Sequence, residues 1–267
     1  KDGDRAYLAR YALGRDYHKI IRKRLQQLAD RIVAAVGPFG YRAFVDSAPV
    51  LEKALASQAG LGWMGKHTVI LNRSAGSYFF LGELFTDLPL PVDTPVTNHC
   101  GSCQACIDIC PTKAIVAPYT LDAGKCISYL TIEYRGVIPV ELRRAIGNRI
   151  FGCDDCQLVC PWNRYAQASQ EAAFTPRHAF DGPPLLDLWA WDEATWLKQT
   201  EGMPLRRMNY PSWLRNLSIA LGNAPQSAAI LTALQARKQS LADSGQLDDV
   251  LAEHLDWAIC QQQLTLR

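Results

Sequence analysis

The chain reads as an α+β protein in three parts, because three residue patterns follow one another along its 267 residues. Up to residue 98, apolar residues at helical spacing alternate with short apolar strands. Between 99 and 175 closely spaced cysteines replace that periodicity, and from 176 to 267 aromatic anchors lead into amphipathic helices. A hydrophobic content of 48% is ample for a buried core, and a net charge of +2 excludes a broadly basic nucleic-acid-coating protein. No apolar run is long enough to cross a bilayer, so no membrane association is expected. The opening Lys1-Asp2-Gly3-Asp4-Arg5 lacks a basic-then-apolar export pattern. Nine cysteines in such a chain point to a reducing cytoplasm and to metal ligation rather than disulfides.

In the first part, Tyr7 to Val36 has helical spacing and ends at Gly37-Pro38-Phe39-Gly40. Tyr41 to Val45 reads as a strand. Asp46-Ser47-Ala48-Pro49 supplies helix-start chemistry for a helix to Ala59, which Gly60 caps. Thr68–Leu71 and Tyr78–Phe85, joined by the polar turn from Asn72 to Ser77, read as a hairpin, and proline-rich Asp87–Pro95 as a linker. The last part carries Trp189, Trp191 and Trp196 as anchors in a polar, turn-rich stretch. Helices are then expected over Ser212–Leu221, Gln226–Gln239 and Leu247–Gln262, too few to define a solenoid by themselves.

The middle part carries the chemistry. Cys100-x2-Cys103-x2-Cys106-x3-Cys110-Pro111 has the bacterial ferredoxin spacing, in which three thiolates wrap one [4Fe-4S] cluster and the fourth reaches to a second. Cys126 and Cys153-x2-Cys156-x3-Cys160-Pro161 supply the partner set. The crossed arrangement assigns Cys100, Cys103, Cys106 and Cys160 to one cluster and Cys110, Cys126, Cys153 and Cys156 to the other. Paired Cys-x2-Cys motifs also build zinc sites, but zinc does not require the Cys-x3-Cys-Pro crossover twice. Cys260 reads as a small buried hydrophobe and His99 as a loop residue. The 26 residues between Cys126 and Cys153 exceed what a compact ferredoxin needs.

Two clusters in series need a terminal acceptor, and the other parts must hold it. Gly60-Leu61-Gly62-Trp63-Met64-Gly65-Lys66-His67 lets backbone approach a ligand, with a cation and an imidazole at its exit, yet a tight turn reads equally well. Asp46 after a strand is, on its own, a helix cap or a catalytic carboxyl.

Taken together, Phe44 to Pro49, Gly60 to His67, Phe80-Leu81-Gly82-Glu83, the cysteine array and Arg215 to Asn223 resemble the epoxyqueuosine reductase family. The resemblance implies a cobalamin-dependent enzyme related to reductive dehalogenases. Its parts would be a nitroreductase-like cobalamin domain, incomplete at its N-terminus, over 1–98; a ferredoxin-like domain with two [4Fe-4S] clusters over 99–175; and a linker with HEAT-like helical repeats that bind tRNA over 176–267. It implies a monomer that removes the epoxide oxygen of epoxyqueuosine in a tRNA anticodon loop, leaving queuosine, with electrons from an unidentified reductant such as flavodoxin or ferredoxin. Asp46 matches the family's proton donor, which Phe44, Val45 and Pro49 are expected to surround with apolar surface. The cobalamin contacts carried over are Gly65, Lys66, His67, Ile70, Ser77, Leu81, Ser128 and Thr131, with no protein ligand to cobalt. Phosphate contacts are expected from Arg206, Arg207, Arg215 and Asn216 and from the cluster Arg15, His18, Lys19, Arg22, Lys23 and Arg24, and base stacking from Trp162-Asn163-Arg164. The rival readings are a bare ferredoxin-type carrier, a zinc-stabilised RNA-binding module and a dehalogenase-like enzyme acting on a small molecule.

Overall fold

In the computed structural model, residues 3–264 are described, which leaves Lys1 and Asp2 of the 1–98 part and the last three residues of the 176–267 part outside the description. The expected long first helix is interrupted. β1 (Tyr7–Leu8) pairs in parallel with β8 (Arg149–Phe151), a short helical turn covers Arg10–Ala12, and α1 (Tyr17–Val36) starts only after Asp16, whose side chain accepts the His18 N–H at 3.0 Å. The reason lies at Gly14, where an added Cβ would sit 2.7 Å from Ala173 O. This close crossing takes the donors a through-running helix would use, since Arg15 N–H donates to Ala173 O and Asp16 N–H to Gly202 O.

After α1, β2 (Tyr41–Phe44) runs antiparallel to β5 (Glu83–Thr86), while β3 (Trp63–Met64) pairs with β4 (Ile70–Leu71). The expected hairpin is therefore not formed. The turn after β4 closes on itself through an Asn72–Gly76 bridge, and the chain then leaves to reach β2. Helix α2 (Glu52–Gln58) begins six residues beyond Asp46, with no side-chain cap at Leu51. Its end is as expected: Gly60, at φ +68°, donates to Ser57 O while Leu61 N–H donates to Ala56 O, the paired bonds of a Schellman motif.

The cysteine-bearing part contains α3 (Ala105–Ile109), the hairpin β6 (Ile115–Ala117) and β7 (Thr120–Leu121), α4 (Ile127–Ile132), α5 (Val140–Ile146), β8 and α6 (Asp155–Leu158). The last part has two short helices at the aromatic anchors, α7 (Leu185–Trp189) and α8 (Glu193–Gln199). Three longer ones follow, α9 (Tyr210–Asn223), α10 (Ala228–Asp243) and α11 (Asp249–Gln263), close to where apolar spacing placed them. Among the described residues no helix is long and apolar enough to cross a membrane.

One core joins distant segments. Leu8 and Leu13 pack with Phe151, Leu185, Trp213 and Leu255, so the N-terminal segment, β8 and the helical tail share buried surface. Helix α9 is its axis: Ser212 to Gly222 are all buried, and a Cβ at Gly222 would lie 2.9 Å from Ala258 Cα of α11. Arg215 and Asn216 are therefore braces and not the phosphate contacts expected from their polarity. Arg215 donates to the carbonyls of Leu130, Tyr134 and Gly136, and Asn216 Nδ2 donates to those of Thr131 and Ile150. We expect Asn216→Ala, which orphans two buried carbonyls, to lower stability by about 2–4 kcal/mol, read from its denaturation midpoint.

His254 closes the same region. Its Nε2 accepts the Ile138 N–H at 3.1 Å and its Nδ1 meets Val250 O at 2.6 Å, while burial pushes its pKa down to about 4. The unfolded chain, with an ordinary histidine, binds the proton first as pH falls. Stability attributable to His254 should therefore be complete above pH 6.5 and decline between about 6.5 and 4, a decline that His254→Gln should flatten in denaturant titrations.

Candidate functional site

Cys100 and Cys103 lie in the loop before α3, Cys106 within it, and Cys160 follows α6. These four cysteines line one cavity of about 250 Å3, together with Lys66, His67, Leu71, His99 and Trp162. Cys110, Cys126, Cys153 and Cys156 line a second of about 260 Å3, with His67, Ala114, Ile115 and Ile127 among its walls. The two sets cross in sequence because α3 and α6 pack on each other, so each cysteine motif sends its last member to the other's cavity.

All nine cysteines are free thiols. Burial pushes the pKa of Cys153 up to about 11 and that of Cys156 higher still, with neighbouring thiols adding to the rise at Cys156. Such sets become thiolates only when a bound cation supplies the compensating charge. Among the described residues no three His, Cys, Asp or Glu side chains converge on a point suited to one metal ion. The donor chemistry and the room between the sulfurs fit a cluster in each cavity. Cys260, on α11, is exposed and not the buried hydrophobe expected.

The Gly-rich stretch folds beside these cavities. Lys66 Nζ donates to the carbonyls of Gly101 (2.7 Å) and Cys103 (2.9 Å), which pins the first cysteine loop. Gly65 leaves room for His67, whose Cε1 would lie 2.7 Å from an added Cβ. His67 is itself buried, which holds it neutral with its pKa pushed down to about 4. Trp162 packs edge-on against Trp63 and lines the first cavity, and Asn163 is held by Ser77 and the Gln157 carbonyl, so neither is free to stack on a base. Arg164 lies over the Tyr165 ring.

A larger hollow adjoins the second cavity. Its main lobe, about 550 Å3, is lined by Tyr17, His18, Asp46, Ser128, Glu133 and Arg207 among others. A side lobe of about 210 Å3 shares Tyr17 and Asp46 with it and adds Lys53, Val69, Ile70, Ser77 and Leu81. Lys53 and Val69 connect that lobe to the second cysteine cavity, and Ser128 connects the cavity to the main lobe. Of the expected contacts, Ile70, Ser77, Leu81 and Ser128 thus face the hollow. Thr131 does not: it is fully buried, its hydroxyl donating to Ile127 O and accepting the Gly152 N–H, so its role is structural.

Asp46 has the left-handed φ of +42°, a conformation that costs energy outside glycine and turns its carboxylate back toward α1. Tyr17 OH donates to Asp46 Oδ2, and His18 Nε2 lies 3.4 Å from the same oxygen. On its other side the His18 ring meets Asp16, Nδ1 to Oδ1 at 2.7 Å. Burial, and then the bond to Asp46, hold the Tyr17 phenol well above its usual range, so it stays a donor. The apolar surround expected from Phe44, Val45 and Pro49 is absent. Phe44 stacks edge-on with Phe85, Pro49 is exposed, and the Asp46 side chain is 53% exposed beside polar partners. Below it, burial and the Glu52 carboxylate push Glu83 well above the usual carboxylate range.

Around the mouth, Arg207 pairs with Glu133 at 2.8 Å and Arg206 lies over Trp196, while Arg15, Lys19, Arg22 and Lys23 are exposed on or beside α1. Arg24 is taken by Glu171.

Paired four-cysteine cavities beside a polar hollow define a class, that of iron-sulfur proteins with two clusters, and residues 99–163 match the 4Fe-4S double cluster binding domain. Residues 1–47 match the family described as epoxyqueuosine reductase QueG, DUF1730. The chain is 63% identical to the epoxyqueuosine reductase of Pseudomonas aeruginosa over 96% of its own length and 70% of that protein's. Identity to the Xanthomonas campestris enzyme is 60%, covering 98% and 72%. Among solved structures, epoxyqueuosine reductase with an epoxyqueuosine-modified tRNA-Tyr stem loop superposes with TM-score 0.86 at 31% identity, over 97% of this chain and 67% of that one. The Bacillus subtilis enzyme, with its catalytic aspartate loop swung out of the active site, gives 0.87 at 30% identity over the same shares. The chain belongs to the epoxyqueuosine reductase family.

Proposed function

We propose that this chain reduces epoxyqueuosine to queuosine in tRNA, with the hollow at Asp46 holding cobalamin and the modified base and the two cysteine cavities holding the [4Fe-4S] clusters that feed it. The observation carrying this reading is the continuity of the cavities. The first cysteine set, the second set and the carboxylate lie along one path, joined by His67 and then by Lys53, Val69 and Ser128. A bare carrier needs no such hollow behind its second cluster. The hollow's size and its mixed lining, with Ile70, Leu81 and Ser77 on one wall and Ser128 and Tyr129 on the other, suit a broad, largely apolar ring with polar edges.

Converting an epoxide to an alkene takes two electrons and two protons and releases water. Cobalamin, when bound, supplies the low-potential reductant for cleavage of the C–O bond. The protein's task is to hold the base and deliver protons to the departing oxygen. Asp46 is the group placed to do so, and Tyr17 orients it through its hydroxyl. His18, held from behind by Asp16, is the second group against that carboxylate and returns a proton to it between turnovers. Accordingly His18→Gln should slow steady turnover several-fold while leaving a single turnover near normal, as measured by rapid quench.

For tRNA, the exposed Arg15, Lys19, Arg22 and Lys23 and the mouth residue Arg206 are the phosphate contacts this reading uses, Arg207 being held by Glu133. The module boundaries at 98 and 175, the nitroreductase-like and HEAT-like character of the outer modules, a flavodoxin or ferredoxin donor, a monomeric state and a cytoplasmic location belong to the same proposal. It is tested by anaerobic titration of the iron-loaded protein with cob(II)alamin, followed by electron paramagnetic resonance. A change of the cobalt signal to a low-coordinate form, saturating at one equivalent, is expected. A signal that stays that of free cobalamin reduces the chain to an electron carrier.

A further inference from the structure

His67 stands in the wall common to both cysteine cavities, and it is the one histidine among the residues lining both. Its Nδ1 accepts the Val69 N–H at 3.1 Å, so that nitrogen carries no proton and the ring's N–H is on Nε2. The residue is 3% exposed, and Nε2 is buried with no protein partner. A buried donor is unfavourable when left unmatched, so its partner belongs in the space the ring borders. Asp155, the one carboxylate lining them, is paired with Arg149, which leaves cluster sulfides and cysteine thiolates as the strong acceptors those cavities would offer. Gly65 and the Val69 amide fix the ring from behind, leaving it a single direction for the donor.

We propose that His67 donates its Nε2 proton in an N–H···S hydrogen bond to one of the two clusters and thereby raises that cluster's reduction potential. The physical basis is charge: a reduced cluster carries one more negative charge on its sulfurs, and a fixed donor stabilises it more than the oxidised form. His67 would then act as a positioning residue that sets the potential difference along the path to the hollow, without itself accepting electrons.

The inference rests on the two-cluster reading above, and the experiment separates the two. In full-length protein labelled with 15N-histidine and reduced anaerobically, pulsed electron paramagnetic resonance should detect a histidine nitrogen coupled to one cluster. The coupling should persist in His99→Phe, which removes the other imidazole lining the first cavity. It should vanish in His67→Phe. Potentiometric titration of His67→Phe should move one midpoint negative, with a tenfold loss in the reduction equilibrium corresponding to about 59 mV. The other midpoint should stay in place, and His67→Gln, which keeps an N–H donor, should recover part of the shift. Clusters that load normally but show no histidine coupling beyond that from His99 overturn the inference, even if the variants fail to fold. A protein that takes up no iron overturns the cluster reading and this inference with it.

Discussion

Replacing Asp46 with asparagine is expected to abolish turnover of epoxyqueuosine-containing tRNA by about 100- to 10,000-fold, the range over which a positioned general acid acts. The substitution keeps the shape of the side chain and its place at φ +42°, where asparagine is among the better tolerated residues. It removes the transferable proton. Because the residue is exposed and contributes to neither cysteine cavity, iron content should be unchanged. Tyr17→Phe deletes the hydroxyl that orients the carboxylate but leaves the acid itself, so a loss of about tenfold, one charge-assisted hydrogen bond, is expected there. If Asp46→Asn turns over at the parental rate, the proton comes from elsewhere. Glu83, whose carboxyl burial and then Glu52 push up to about 7, is the next group to replace.

The cysteine spacing carried most of what the site reveals. Two runs with a Cys-x3-Cys-Pro ending predict two crossed sets, and the structure gathers the same two sets around separate cavities. The partners of Asp46 were hidden for a different reason. Tyr17 lies 29 residues upstream, inside the stretch whose spacing predicts one continuous helix, whereas it opens one. The signal was present in Asp16 ahead of an apolar run, an N-cap that the longer periodic stretch from Tyr7 obscured. Polarity misled at Arg215 and Asn216, and the family resemblance at Thr131. A sequence shows that a side chain can hydrogen-bond but not that distant carbonyls will be brought to it, so these residues read as surface or ligand contacts although each is buried. The hairpin failed likewise, because strand pairing across 40 residues depends on where the 72–76 turn aims the chain, which local alternation does not encode.

The crossing of the cysteine sets makes a prediction that separates it from the simpler alternative in which each run holds its own cluster. Under crossing, Cys110 and Cys153 serve the same cluster although they lie in different runs, since both line the cavity with Cys126 and Cys156. Cys110→Ala/Cys153→Ala should therefore bind about half the parental iron and retain one intact [4Fe-4S] signal, while Cys103→Ala/Cys153→Ala should lose both clusters. If each run held its own cluster, the first pair of substitutions would strip both. The half-loaded protein should also lose turnover by at least the factor expected for Asp46→Asn. The cavity lined by Cys110 and Cys153 is the one that shares Lys53, Val69 and Ser128 with the hollow, so on the proposed path an electron from the first cluster passes through it. Strong chemical reductants that enter the hollow directly should restore part of the rate to that variant but none to Asp46→Asn, because the first lacks only a path for electrons and the second lacks a proton.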